Sequence, residues 1–187
     1  MNNYRDKIIA LLNNEEFYRL SEVGGQKEHH QEGSAFVHSI LVSYEAVRKW
    51  GEYSMMHLVA LLHDVGKISH HEIDLNGDYS YRGHAEAGAE ELHWFISPLE
   101  DDFPLIQWYV RNHAKPLYWR GKKLKRSEAF QKIKEGSSLE VTDEMFDNLC
   151  YLAICDIKGS KHANEADAEK DILYLKGLVG QRYTGDI

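Results

Sequence analysis

The sequence predicts an all-α protein, a single-domain helical bundle over residues 1–187, and three observations carry that prediction. Apolar residues recur at three- and four-residue steps along most of the chain. Strand patterns are scarce: only "HEIDLNGDYSYRG" (71–83), with Asn76-Gly77 as its turn, suits a short hairpin or a loop at about 72–83. No internal repeat or low-complexity tract divides the chain, which contains only three prolines.

The helices are justified in chain order. "SAFVHSILVSYEAVRKW" (34–50) opens on Ser34, a good N-cap, and Val37, Ile40, Leu41, Tyr44 and Val47 form its apolar stripe. "EYSMMHLVALLHDVGK" (52–67) repeats the pattern with Met55, Leu58, Leu62 and Val65, and Gly66 suits its end. A third helix runs from His84 or Ala85 to Ile96. A fourth begins near Pro104, a residue tolerated in the first turn, and stops before Pro116. Residues 127–135 make a short polar helix, Thr142 caps a longer one reaching about Lys158, and Asn164 caps a terminal one containing Ile172 and Leu175.

Composition sets bounds on function. The net charge of -8 excludes broad, salt-driven binding to extended duplex DNA, because a phosphate backbone is held mainly by Lys and Arg. Positive charge is concentrated only in "RGKKLKRSEAFQKIK" (120–134), which reads either as a solvated face or as a local phosphate-binding patch. Cys150 and Cys155 lie five apart within one helix, a spacing that suits buried, reduced thiols. No run is long and apolar enough for a membrane span, and the charged N-terminal stretch lacks a signal-peptide core, so a soluble, cytoplasmic protein is expected.

The most informative residues are polar ones standing where an apolar stripe should continue. In the late helix Met145, Leu149 and Leu152 lead by a four-residue step to Asp156, and in the fourth Ile106, Tyr109 and Val110 lead to His113. His38 lies one turn before Leu41 and Val42, and His63, followed by Asp64, one turn after Val59. An unpaired buried carboxylate would cost several kcal/mol or lose its charge, and a bound cation resolves that cost. Taken singly, a histidine on an apolar face is usually a hydrogen-bonded core residue, as read here for His57, while His93 and His162 read as exposed. The combination of His38, His63, Asp64, His84, His113 and Asp156 points instead to one or two divalent ions. Imidazole and carboxylate without thiolate suit Mn, Fe, Co, Ni, Zn or Mg.

In order along the chain, "HQEGSAFVHSILV" (30–42), "ALLHDVGKI" (60–68), "NGDYSYRGHAEAGAEE" (76–91), "VRNHAKP" (110–116) and "YLAICDIKG" (151–159) resemble the HD superfamily of metal-dependent phosphohydrolases, all-helical proteins named for an adjacent histidine and aspartate. Within it the likeness is closest to HD domains associated with bacterial tRNA nucleotidyltransferases. The motifs occupy residues 30–160, whereas 1–29 and 117–150 match nothing in that pattern. The resemblance implies an HD-type bundle with a first metal on His38, His63, Asp64 and Asp156. A second would share Asp64 and add His84 and His113, with His30 an extra candidate as ligand or phosphate contact. The chain lacks a nucleotidyltransferase portion and continues differently after Asp156, so neither polymerising chemistry nor contacts beyond that residue carry over.

The expected reaction is hydrolysis of a nucleotide or RNA-end phosphate, either a 2′,3′-cyclic phosphodiester or a terminal phosphomonoester. The alternatives are a hydrolase specific for dNTPs or a signalling nucleotide, and a sensor domain that keeps the metal without turnover. His63 and Asp64 would project about 100° apart on a helix, letting a two-oxygen carboxylate reach both ions. Asp64, Lys67 and Arg82 are the catalytic candidates. Lys67 reads either as a phosphate contact or as a solvated helix cap, and Arg82 as a phosphate fork. Tyr79, Tyr81, Tyr118 and Trp119 read as base-stacking or partial-core residues, and His70 and His71 as supporting or surface groups.

Overall fold

The computed structural model describes residues 3–24, 33–73, 75, 79–160 and 165–179, and within them the protein is all-α. Helices α1 (Tyr4–Leu11) and α2 (Glu15–Tyr18) precede α3 (Ala35–Trp50) and α4 (Met55–Leu62). A 3-10 turn (Val65–Lys67) leads to strands β1 (Glu72–Ile73) and β2 (Tyr79–Ser80). Helices α5 (His84–Glu91), α6 (Phe103–Asn112), α7 (Lys115–Gly121), α8 (Arg126–Glu135), α9 (Asp143–Gly159) and α10 (Glu165–Leu178) follow. The strands pair antiparallel, Glu72 with Ser80 and Ile73 with Tyr79, as a hairpin needs; Asn76-Gly77, His30, His162 and Asn164 lie outside the described residues.

The expected caps form where short polar side chains meet free helix N–H groups. Ser34 accepts a hydrogen bond from the Val37 N–H, and Thr142 from that of Met145. Pro104 sits in the first turn of α6. Pro116 likewise stands in the first turn of α7, so it opens a further helix in addition to following the end of α6.

Helix α3 packs on α4 and α9, α5 packs on α6, and α10 packs on α9. Leu58, Leu61, Leu62, Ile106, Tyr109, Phe146 and Leu149 fill the space between these helices. The N-terminal segment adds Ile8, Leu11, Phe17 and Leu20, all buried, and each contributes about 1.5–3 kcal/mol by leaving water. Cys150 and Cys155 are buried free thiols, and burial pushes the Cys155 thiol up to about 12.

Two readings of the sequence are corrected. Helix α3 does not bury the stripe of Val37, Ile40 and Tyr44, which are exposed; it turns His38, Ser39, Val42, Ser43 and Ala46 inward. The reason is close packing, because an added Cβ on Gly159 of α9 would come within 2.7 Å of the Val42 backbone nitrogen. The approach is made by glycine at 159 against Val42, with Ser39, Ser43 and Ala46 as small neighbours on the same face. The helix expected over 52–67 stops at Leu62, and Gly66 serves a close contact described below rather than a helix end. In the basic segment the five lysines are exposed, as a solvated face requires, while Arg120 pairs with Asp171, and Arg126 with Asp143 at 2.7 Å and with Asp147.

Gly159→Ala should destabilise the fold by about 1–3 kcal/mol, since overpacking against backbone outweighs the roughly 1 kcal/mol that alanine gains over glycine in a helix. Chemical denaturation checks this; an unchanged midpoint would show that α3 and α9 can separate without loss.

Candidate metal centre

The site is built at the ends of helices. His63 is the residue that closes α4, still in right-handed helical geometry, and Asp64 leaves the helix at φ -107° and ψ 9°. The pair is therefore not displayed around a regular helix, as the sequence suggested, but on the turn that follows one. Gly66 makes this turn possible. A Cβ there would lie 2.0 Å from the His84 carbonyl oxygen and 2.3 Å from the Gly88 nitrogen, so the turn presses directly on α5. Glycine at 88, four residues after His84 and thus on the same helix face, completes the contact. That costs about 1 kcal/mol of helix propensity and brings His84 against Asp64.

His38 from α3, His63 and Asp64 from the end of α4, His84 from the start of α5 and His113 from the end of α6 meet at one point. His38, His63, Asp64 and His113 are at most 3% exposed. The two oxygens of Asp64 divide the imidazoles into pairs. Oδ2 lies 3.5 Å from His38 Nε2 and 3.3 Å from His63 Nε2, whereas Oδ1 lies 3.2 Å from His84 Nε2 and 3.5 Å from His113 Nε2. Asp156 from α9 adds its Oδ1 at 3.0 Å from His38 Nε2. All six residues singled out as ligands from sequence thus come together.

Proton inventory tests whether a cation fits. His63, His84 and His113 each place Nδ1 within 2.6–2.8 Å of a backbone carbonyl three residues earlier, at Ala60, Tyr81 and Val110. A carbonyl only accepts, so these Nδ1 atoms donate, and in neutral rings each Nε2 carries a lone pair. His84 and His113 then bring two such lone pairs within 3.1 Å of each other. Facing acceptors repel unless a proton or a cation lies between them. The clusters His38–His63–Asp64 and Asp64–His84–His113 each offer donor atoms close enough to share one ion.

Electrostatics point the same way. Burial would raise the Asp64 carboxyl, but the Lys67 ammonium, His63 and His113 hold it well below its ordinary value. Burial opposes charge on Asp156 also, and its bond to His38 keeps that carboxyl low. Both carboxylates stay ionised, as cation binding requires. Burial disfavours charge on His84, yet its bond to Asp64 raises its pKa; burial lowers that of His113.

The remaining candidates separate clearly. Lys67 is 6% exposed, with Nζ 2.6 Å from Asp64 Oδ2 and 4.8 Å from the centre of the Tyr81 ring, so it is not a solvated cap. Arg82 is exposed, on the wall of a cleft of about 290 Å³ that reaches His84. Trp119 is buried and stacks on Phe146, and Tyr81 is buried with its hydroxyl donating to the Gly24 carbonyl; both are core residues. Tyr118 is exposed at the cleft. His70 and His71 lie at the surface, where His71 Nδ1 donates to the Lys67 carbonyl. His57 is half-buried and accepts from the Tyr53 N–H, and His93 is exposed. Sequence reasoning missed the contact of Gly66 with Gly88, whose only signal was a glycine in mid-helix, and the cleft residues Arg111 and Lys115, for which no local pattern existed.

The chain matches the HD domain family over residues 36–157. No curated protein and no solved structure matches it.

Protein prepared without chelator should contain one or two divalent ions per chain by elemental analysis. A fully folded apoprotein that cannot be reloaded with Mn, Fe, Co or Ni would overturn this. Occupancy should fall as the medium is acidified: the His84 pKa is raised, so this imidazole takes a proton before an unperturbed one does, and a protonated ring cannot bind a cation. Metal retention unchanged from pH 8 to about 5 would contradict that order.

Proposed function

Since the chain belongs to the HD domain family, whose members are metal-dependent phosphohydrolases that bind divalent ions, we propose that it hydrolyses a phosphate ester of a nucleotide or of an RNA end at the centre around Asp64. The observation that carries this reading is the division of one buried carboxylate between two pairs of imidazoles. We assign one ion to His38, His63, Asp64 and Asp156, and a second to Asp64, His84 and His113, with His30 as a further ligand or phosphate contact. Bound divalent ions supply a water of near-neutral pKa, polarise a phosphoryl oxygen and stabilise a leaving oxygen.

The protein's own groups prepare that chemistry. The backbone bonds from Nδ1 of His63, His84 and His113 fix ring orientation and tautomer, so each Nε2 is aimed before any ion arrives. Lys67 offsets the negative charge of Asp64 in the interior and leaves an ammonium beside the place where a phosphoryl group would sit. Arg82 offers two parallel donors from the cleft wall, suited to a nonbridging oxygen pair.

The substrate favoured is a 2′,3′-cyclic phosphate or a 2′- or 3′-phosphorylated ribose end. The net charge of -8 favours a short, terminal substrate over a duplex, and within the basic segment Arg120 and Arg126 are already neutralised by Asp171, Asp143 and Asp147. No helix among the described residues is long and apolar enough to cross a membrane.

A substrate panel with Mn, Ni, Co, Fe or Mg decides the reading. Release of phosphate or ring opening from ribose-end substrates is expected; turnover of only nucleoside triphosphates or a cyclic dinucleotide would move the substrate class, and none at all would leave a sensor. Asp64→Asn should lower activity by more than about a hundredfold and release metal, since even an outer partner of a ligand is worth 10–100-fold. Arg82→Ala should lower kcat/KM by about tenfold or more at unchanged metal content; loss of metal in that variant would place Arg82 in the wrong role.

A further inference from the structure

The cleft beside His84 carries more positive charge than one reacting phosphate requires. Its walls bring Arg82 from the turn before α5, Glu86 from the first turn of α5, Arg111 from the end of α6, and Lys115 and Tyr118 from α7. Three cations therefore face one carboxylate in a protein of net charge -8. Arg82, Arg111 and Lys115 form no ion pair with any described carboxylate, unlike Lys7, Arg120 and Arg126, each of which is held by at least one aspartate. Lys67 is held by Asp64 and is not among the cleft's cations.

Geometry makes Arg111 and Lys115 a unit. His113 and Ala114, between α6 and α7, keep right-handed helical backbone angles, so positions 111 and 115 stand one turn apart on the same side. Two like charges so placed repel each other, and an anion bound between them adds an attraction to each that outweighs the repulsion. Tyr118 lies three residues beyond Lys115 on the same face and is 62% exposed; the Lys122 ammonium stands 4.4 Å from its ring centre, so a base would stack on the ring face away from Lys122.

We infer that this cleft binds a second, non-reacting phosphate of the substrate on Arg111 and Lys115, with the adjoining base against Tyr118. The substrate class is then a nucleotide carrying two phosphates rather than a simple nucleoside monophosphate. The inference rests on the phosphohydrolase reading above for its reacting phosphate, whereas the cleft itself is defined without it. Two sources supply this chemistry: a 2′- or 3′-phosphorylated ribose end that also bears a phosphate on its 5′-oxygen, as the 3′-terminal nucleotide of an RNA does through its last phosphodiester linkage, and a nucleoside polyphosphate.

The test begins with binding to chelator-treated protein, where no turnover occurs. Adenosine 5′-monophosphate should bind about tenfold or more tighter than adenosine, and Arg111→Gln combined with Lys115→Gln should abolish that difference at a parent-like circular dichroism spectrum. Arg111→Lys, which keeps the charge and loses the fork, should fall between. In metal-loaded protein, adenosine 3′,5′-bisphosphate should be hydrolysed with a KM about tenfold or more below that of adenosine 3′-monophosphate, an advantage lost in the double variant. A higher affinity for the bisphosphate than for adenosine 5′-diphosphate identifies the ribose-end source, and the reverse identifies the polyphosphate. Equal binding of adenosine and its 5′-monophosphate, or a folded double variant that binds like the parent, overturns the inference. Failure of every ester to turn over overturns the hydrolase reading alone, because the binding comparison still decides the cleft.

Discussion

The structure depends on one buried carboxylate. Asp64 sits among four imidazoles and an ammonium, drawn from α3, α4, α5, α6 and the turn after α4. A charge in such a place costs several kcal/mol unless it is matched, so the residues around it cannot vary independently. Helix α4 stops one residue before the pair, the following turn presses against α5 through Gly66 and Gly88, and α3 gives up an apolar face to bring His38 inward.

That constraint explains an apparent contradiction in α3. Its large apolar residues Val37, Ile40 and Tyr44 face solvent, while histidine, serines and alanine face the core. Hydrophobic transfer alone would rotate the helix the other way. The contact of Gly159 with the Val42 backbone brings α3 and α9 close together, and this same approach lets His38 bridge Asp64 and Asp156. Packing density and the polar cluster thus act together against the apolar stripe.

Access to the cluster is as specific as its assembly. His63, Asp64, His38 and His113 are sealed, whereas the side chains of His84 and Asp156 retain 18% and 17% exposure. The His84 edge opens to the cationic cleft, so a substrate approaching from that side meets fixed positive charge before it meets the ligands. Arg120 and Arg126 are tied to aspartates and Arg19 and Arg48 to glutamates, whereas the arginines of the cleft have no carboxylate partner among the described residues.

The sequence by itself determined the helical class, the caps at Ser34 and Thr142, the Asn-Gly-containing hairpin segment and the six polar residues of the centre. Each of these leaves a local trace: a three-to-four residue period, a capping hydroxyl, or a histidine or aspartate standing where a stripe should continue. Only the tertiary structure decided which face of α3 is buried, where α4 ends and why Gly66 is there, that Lys67 pairs with Asp64, that Trp119 and Tyr81 belong to the core, and that Arg82, Arg111 and Lys115 share a cleft. Periodicity records what a helix offers, but a neighbour's shape selects among the offers, and close approaches and charge pairs between distant segments have no period to read.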